Sequence, residues 1–367
     1  MKLNKLQKAK IKNKYVLVRV DFNVPVKNNK ISDDFRIKSA LPTIKYLIKN
    51  KAIVILMSHF GRPEGKVVES LRMNIIARHL SNLLNQQVFK FDDCIGPEVE
   101  DFIREMVPGE VALLENLRFY KEESENNYNF AQSLSNFADV FVNDAFGCIH
   151  RNHASVTGVC KFIPTFAGLL VQEEVKKLSK LKKPRRPFIA IIAGAKLDKI
   201  DFIESILPKV NNLIVAGIPG LVVLKAKGEK INKLKIDKKY LIAAKRFCNN
   251  KKLILPVDFV KEKGIAKDIG PKTVENIQFF IKKAKTIFWA GPLGIIEQKK
   301  FAKGTYKIAE NIARSRAFTV VGGGESVSVI NKLKETKNFS WISTGGGASI
   351  AFVQGKILPG LSVLEKL

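Results

Sequence analysis

Two doubly wound parallel α/β sheets, one in each half of the chain and joined by a hinge helix, are what this sequence predicts. Three observations carry that prediction. The chain has 367 residues, too many for one ordinary core and a natural length for two domains. Apolar runs alternate with segments of helical period from end to end, the grammar of repeated βα units. The runs are mostly solid apolar stretches, not alternating ones, which suits parallel strands buried on both faces.

Taken in order, strands are predicted over 15–20, 52–57, 87–91, 110–114 and 139–142 in the first half. In the second they fall over 187–192, 212–216, 252–256, 286–290, 318–321 and 339–343. Amphipathic helices are predicted between them, among others over 36–49, 72–84, 240–248 and 303–314. The boundary falls near 168–186, where LLVQEEVKKLSKLKKPRRP reads as one helix followed by a basic, proline-punctuated exit. A new buried strand, PFIAIIAGA, follows at once. The two Rossmann-like halves share their grammar without any short solenoid repeat.

Composition narrows the function. No stretch reaches the apolar length of a membrane span, and the basic start MKLNKLQKAKIKNKY has no apolar run behind it, so no secretory signal is expected. Cys94, Cys148, Cys160 and Cys248 lack paired spacing and read as reduced thiols of a cytoplasmic protein. Lys plus Arg is 63 against 34 for Asp plus Glu, a net charge of +29. Such a surface attracts polyanions. No basic run interleaves with aromatics as a single-strand groove needs, so nucleic acid is expected only as a weak side partner.

Ligands of open parallel sheets bind beyond the carboxyl ends of the strands. In the first half those positions carry Asp21 and Asn23, His59 and Arg62, Arg118, and Arg151, while Arg36 opens the first helix. Guanidinium groups take phosphate and carboxylate oxygens in pairs and stay charged. Four arginines near successive strand ends, with Asp21 and Asn23 to accept from a hydroxyl, predict a site for a small, multiply anionic metabolite. The competing reading pairs each arginine with a nearby acid, such as Arg36 with Asp33 or Asp34. His150 and His153 lack a third ligand and are not expected to hold a metal. The second half instead offers glycine-rich turns that follow strands and open helices: Ala193 to Lys199, Val321 to Ser326 and Thr344 to Ser349. Backbone N–H groups there can approach phosphates closely. None has the P-loop spacing.

These residues lie within long stretches that resemble the phosphoglycerate kinase family: VLVRVDFNVP at 16–25, DDFRIKSALPTIKYL at 33–47, ILMSHFGRP at 55–63, LLENLRF at 113–119, FVNDAFG at 141–147, HRNHAS at 150–155, GPLG at 291–294, FAKGT at 301–305 and STGGGAS at 343–349. The resemblance implies reversible phosphoryl transfer between 1,3-bisphosphoglycerate and ADP, giving 3-phosphoglycerate and ATP with Mg2+, in a cytoplasmic monomer. It implies a phosphoglycerate-binding domain over 1–168, a hinge over 169–186, a nucleotide-binding domain over 187–345 and a tail over 346–367 returning to the first domain. Asp21, Asn23, Arg36, His59, Arg62, Arg118 and Arg151 match the acid-binding positions. Arg36 and Lys196 match the groups that stabilise the phosphoryl group in flight, with Gly324 and Gly347 as backbone donors. Lys196, Lys199, Glu297, Gly322, Gly323, Gly324, Glu325 and Ser326 match nucleotide-binding positions, Glu325 also the metal ligand.

The departures from the family lie in the second half. The pattern G-G-A-K-V-x-D-K is one residue shorter between Lys196 and Lys199, which on a helix turns Lys199 by about 100°. Ala216-Gly217-Ile218-Pro219-Gly220, Ala266-Lys267 and Ala290 replace residues of the usual base-binding wall, the stretch from Asp258 to Asp268 is short, and Glu325-Ser326 stands for Asp-Thr. Ala351 replaces a usual glutamate. Two functions fit: a kinase with an altered nucleotide preference, and a pseudoenzyme that binds phosphoglycerate or an anionic partner but transfers phosphate poorly or not at all. Lys196, Glu325 and the complete arginine set favour the kinase.

Overall fold

The computed structural model describes residues 1–231 and 235–366. The chain divides into two compact units, Met1–Lys176 with Ile357–Leu367, and Lys177–Lys356. The division falls inside the helix Leu169–Ser179.

The first unit is built on a six-stranded parallel sheet. Its strands are β1 (Tyr15–Arg19), β2 (Ile53–Met57), β3 (Val88–Lys90), β4 (Val111–Leu113), β5 (Val140–Asn143) and β6 (Thr165–Ala167), in the spatial order β3-β4-β2-β1-β5-β6. Alternate residues of one strand feed opposite cores, as strand geometry demands. Val16 and Val18 pack with Val54, Leu56 and Val142 on one face. Leu17 packs with Ile55, Met57 and Phe141 on the other. Both faces are covered, which is why the runs read as solid apolar stretches. β6 was not predicted: three residues between Pro164 and Gly168 at a sheet edge give no apolar run.

The second unit carries β7 (Phe188–Ile192), β8 (Asn212–Val215), β9 (Leu253–Ile254), β10 (Thr286–Ala290), β11 (Phe318–Gly322) and β12 (Trp341–Ser343), in the order β9-β8-β7-β10-β11-β12. The chain order reverses between β7 and β10, so the crevice beyond Ile192 and Ala290 is this sheet's topological switch point. In the first sheet the equivalent crevice opens beyond Arg19 and Asn143, where β1 meets β5. The two sheets match the predicted α/β architecture.

Helix bounds shift for identifiable reasons. The helix predicted over 72–84 starts at Asn74, because the buried Glu115 carboxylate accepts from Met73 N at 2.8 Å and pairs with Arg72 at 3.1 Å. The one predicted over 240–248 starts at Lys238, where the Asp237 side chain accepts from Lys239 N. An antiparallel hairpin, Phe259–Glu262 with Ile265–Ile269, escaped the sequence reading because it is short and only half buried. Its turn places Lys263 and Gly264 at positive φ, as tight hairpins require.

Asp144, just past β5, is buried and caps the helix Leu169–Ser179 by accepting from Leu170 N at 2.9 Å and Val171 N at 3.3 Å. Burial pushes its carboxyl up to about 7, against the opposing hydrogen bonds from Thr43, Val171 and Leu170. The folded state therefore favours the neutral carboxyl. The stability tied to that protonation is complete below about pH 4 and is lost as pH rises through about 7. Asp144→Asn should thus gain on the wild type between pH 5 and 8, by up to about 3 kcal/mol. Urea denaturation at the two pH values measures this, and a difference that stays flat contradicts it.

Candidate functional site

The loop after β1 bends back over the sheet end because Phe22 N donates to the buried Ser58 hydroxyl at 2.9 Å. That sets Asp21 and Asn23 beside the loop after β2. Asn23 Oδ1 accepts from Gly61 N at 3.0 Å. Arg36 Nη1 donates to both oxygens of Asp21, at 3.0 and 2.9 Å, and to Asn23 O at 3.2 Å. Arg36 thus pairs with Asp21. Asp34 instead takes Lys38 and His79.

The next three arginines converge. Arg62, Arg118 and Arg151 line one cavity of about 470 Å³ together with Lys121 and His153. Glu64 and Glu125 also line it. Among the described residues, the arginine ion pairs of this unit use Arg19, Arg36, Arg72 and Arg104, and none of these three. Arg118 Nη1 is aimed by Gly61 O at 2.7 Å. Burial, then the charges of Arg19, Arg62 and Arg36, press the Arg151 guanidinium below its ordinary value. Positive charge has been concentrated here against its own repulsion, as an anion site requires. Arg36 is not part of this cavity's lining, but its charge acts on both Arg151 and His59.

Behind the arginines lies a buried polar group that the sequence reading passed over. Arg19, at the end of β1, is 1% exposed. Its Nε donates to Ser155 Oγ at 2.7 Å, and its guanidinium stands 3.9 Å from the fully buried Glu123. Its Nη2 lies 3.3 Å from His59 Nδ1. A guanidinium only donates, so His59 Nδ1 accepts and the imidazole proton sits on Nε2. Burial first, then the charges of Arg19, Arg151 and Arg36, hold His59 well below its usual range. His59 is a neutral donor at physiological pH. The signal that could have revealed this group is a lone charge inside a solid apolar strand, Val18-Arg19-Val20.

Asp21, His59 and Cys148 bring their ligand atoms within 4.8 Å of one another. A cation there would face Arg19, Arg36 and Arg151, whose charges already disfavour protonated His59, so the chemistry of the group is that of an anion site. His150 and His153 do not join it; His153 Nδ1 stands 3.5 Å from Glu123.

In the second unit, a cavity of about 330 Å³ opens at the switch point. Gly194, Ala195, Gly217 and Ile218 line it from the loops after β7 and β8, and Ala266, Lys267 and Asp268 from the hairpin. Pro292 and Glu297 complete its wall from the segment after β10, and Glu325 from the first turn of the helix after β11. Of the residues singled out from the sequence as a base-binding wall, Gly217, Ile218, Ala266 and Lys267 share this lining, and Ala290 does not. Asp268 holds the lining in place: burial pushes its carboxyl up to about 6, while it accepts from Gly304 N at 2.8 Å and Ile269 N at 2.9 Å.

The loops meet closely because of their glycines. A Cβ on Gly291, at φ +99°, would stand 2.1 Å from Ala193 O, and one on Gly217 2.6 Å from Gly194 O. Gly291→Ala should therefore cost at least about 2 kcal/mol. Gly109→Ala, at φ +100° with open space around it, is the control for backbone strain alone. Thermal denaturation compares them, and equal losses in the two variants would refute the clash.

The shortened segment between the lysines is loop: the helix begins at Lys199, so no helical rotation arises. Lys196 is exposed in that loop. Lys199 Nζ turns inward, donating to Ala193 O and to Ala290 O at 3.3 Å, and its burial lowers its pKa. It ties the ends of β7 and β10 together. Ser326 is buried, and its hydroxyl accepts from Gly291 N at 2.9 Å, supporting the loop from beneath. Gly322 ends β11. Gly323 and Gly346, both at positive φ, precede helices that begin at Gly324 and Gly347, so each helix presents open N–H groups at its start.

The family model described as phosphoglycerate kinase matches residues 6–356. The phosphoglycerate kinase of Borreliella afzelii is 45% identical over 379 residues, covering 96% of each chain. That of Dictyoglomus turgidum is 47% identical over 387 residues, covering 98% of each. The crystal structure of phosphoglycerate kinase from Pyrococcus horikoshii superposes with a TM-score of 0.91 at 33% identity, covering 99% of this chain and 98% of that one. The structure of phosphoglycerate kinase from Coxiella burnetii gives 0.82 at 36% identity with the same coverage. Among the described residues, no helix is long and apolar enough to cross a membrane.

Proposed function

This chain belongs to the phosphoglycerate kinase family, and from that premise we infer which of its residues carry the reaction. The activity is reversible phosphoryl transfer between 1,3-bisphosphoglycerate and ADP, giving 3-phosphoglycerate and ATP, a step of glycolysis. The first unit binds the acid and the second the nucleotide, in a chain that acts as a monomer. The observation that carries the assignment is the cavity where Arg62, Arg118 and Arg151 meet, none of them in an ion pair among the described residues.

Those three arginines hold the phosphate remote from the reacting end. Asp21 and Asn23 accept from the substrate hydroxyl, and the neutral His59 donates from Nε2. Arg36 keeps Nη2 and Nε for the phosphoryl oxygens, since only Nη1 is engaged by Asp21 and Asn23. In the second unit, Lys196 and the N–H groups at Gly324 and Gly347 take phosphoryl oxygens of the nucleotide. Catalysis is then positioning and charge stabilisation, with no covalent intermediate.

Glu325 suits Mg2+: it is exposed, lines the nucleotide cavity and stands in the first turn of its helix. When bound there, the ion neutralises phosphate charge. Glu297 takes the ribose, and Gly322 and Gly323 shape the turn that leads to Glu325. The substituted wall around Ile218 and Ala266 supports a second reading, a nucleotide preference broader than adenine.

A coupled assay with 3-phosphoglycerate and a panel of Mg-nucleotides tests both readings. ATP should support turnover, with other purine triphosphates within about tenfold in kcat/KM, roughly 1.4 kcal/mol. Strict ATP dependence removes the second reading. No turnover with any nucleotide, alongside retained 3-phosphoglycerate binding, removes the first.

A further inference from the structure

The second unit holds another cavity, at the opposite end of its sheet from the nucleotide pocket. It measures about 510 Å³, within the range of small-ligand sites. Lys285 fixes its place: its N–H donates to Pro187 O and its carbonyl accepts from Phe318 N, at the starts of β7 and β11. The five residues of β10 separate it from the switch-point crevice, roughly 17 Å of strand.

Its chemistry is one-sided. Lys282, Lys285, Arg314 and Arg316 line it together with Asn311, and among the described residues no carboxylate does. Glu310, the nearest acid along the chain, pairs with Lys307. The Asn311 amide nitrogen is buried with no hydrogen-bond partner. Helix ends explain part of this arrangement: Lys282 sits in the last turn of Pro271–Lys283 and Arg314 caps Lys303–Ala313, where a cation suits the helix dipole. They do not explain Lys285 and Arg316, which lie beyond the helices, nor a buried amide donor left unmatched.

We propose that this cavity binds a small oligophosphate anion carrying three or more negative charges. Beside the four cations stand only the neutral polar groups of Gln278, Asn311 and Ser315, so the balancing negative charge must come from the ligand. Two arginine forks match phosphate oxygens in pairs. The site is separate from the catalytic machinery and does not depend on the residue roles assigned above.

Calorimetric titration of the full chain with inorganic tripolyphosphate, at saturating 3-phosphoglycerate, tests the proposal. Two binding steps are expected, one at the nucleotide cavity and one here. The double variant Arg314→Gln, Arg316→Gln should weaken one step at least tenfold and leave kcat and KM unchanged. Both arginines are exposed, so the fold tolerates the change. Asn311→Leu should weaken the same step. Two unaltered steps in the double variant overturn the proposal. So does tighter binding of a single-stranded RNA oligonucleotide than of tripolyphosphate when that binding also falls in the double variant, since the patch would then be a nucleic-acid surface.

Discussion

Arg36→Ala lowers kcat by about 10³, roughly 4 kcal/mol of transition-state stabilisation, and changes KM for 3-phosphoglycerate less than tenfold. The split follows from where the side chain stands. Arg36 is not among the residues lining the cavity of Arg62, Arg118 and Arg151, to which the proposed function gives the ground-state affinity. Its anchor to Asp21 uses one nitrogen and leaves the rest of the fork for charge that develops during transfer. Losing a charged hydrogen bond to a buried carboxylate costs about 1.5–3 kcal/mol, a melting-temperature drop of several degrees with the fold retained. Arg36→Lys keeps the charge without the fork and should recover only part of the rate. Steady-state kinetics of the three proteins checks this. A wild-type kcat in Arg36→Ala removes the arginine from the transfer step, and an equal rise in KM with unchanged kcat makes it a binding residue.

The parallel sheets were legible in the sequence because burial on both faces writes itself as solid apolar runs, visible at Val16–Val18 and Ile189–Ile192 alike. The candidate site residues could be located because they follow those runs directly. Long-range partners were not. Nothing near Arg36 in sequence selects Asp21 over Asp33 and Asp34, since that choice depends on Ser58 pinning the β1 loop. Nothing near Lys199 shows that its ammonium turns back onto the carbonyls of Ala193 and Ala290. The hairpin Phe259–Glu262 with Ile265–Ile269 was missed because its half-buried residues give neither period cleanly. What sequence spacing conveys is which residues share a strand end. Which of them touch is decided by loops closed through buried side chains from elsewhere in the chain.

Glu123 is the clearest such case, and its removal should be the most damaging single change in the first unit. It is wholly buried and accepts from Ser155 N at 2.9 Å and Ser155 Oγ at 2.6 Å, with His153 and the buried Arg19 close by. Burial alone would raise its carboxyl, but the His153 contact, the Arg19 charge and the Ser155 hydrogen bonds outweigh that and lower it. The folded state thus favours the carboxylate. Its stabilisation is present above the unfolded value of 4.5 and is lost as pH falls through the lowered folded value. Glu123→Ala leaves Arg19 buried without a carboxylate, which costs about 3–5 kcal/mol, on the order of 10 °C in melting temperature for a unit of this size. Glu123→Gln keeps the shape and one acceptor but not the charge, and should fall between. Because Arg19 also fixes the proton of His59 on Nε2, the glutamine variant should raise KM for 3-phosphoglycerate as well as lower stability. Denaturation and steady-state kinetics on the same samples decide it. Wild-type stability in Glu123→Ala would show that Arg19 finds other compensation, and the electrostatic account of the buried group would have to be abandoned.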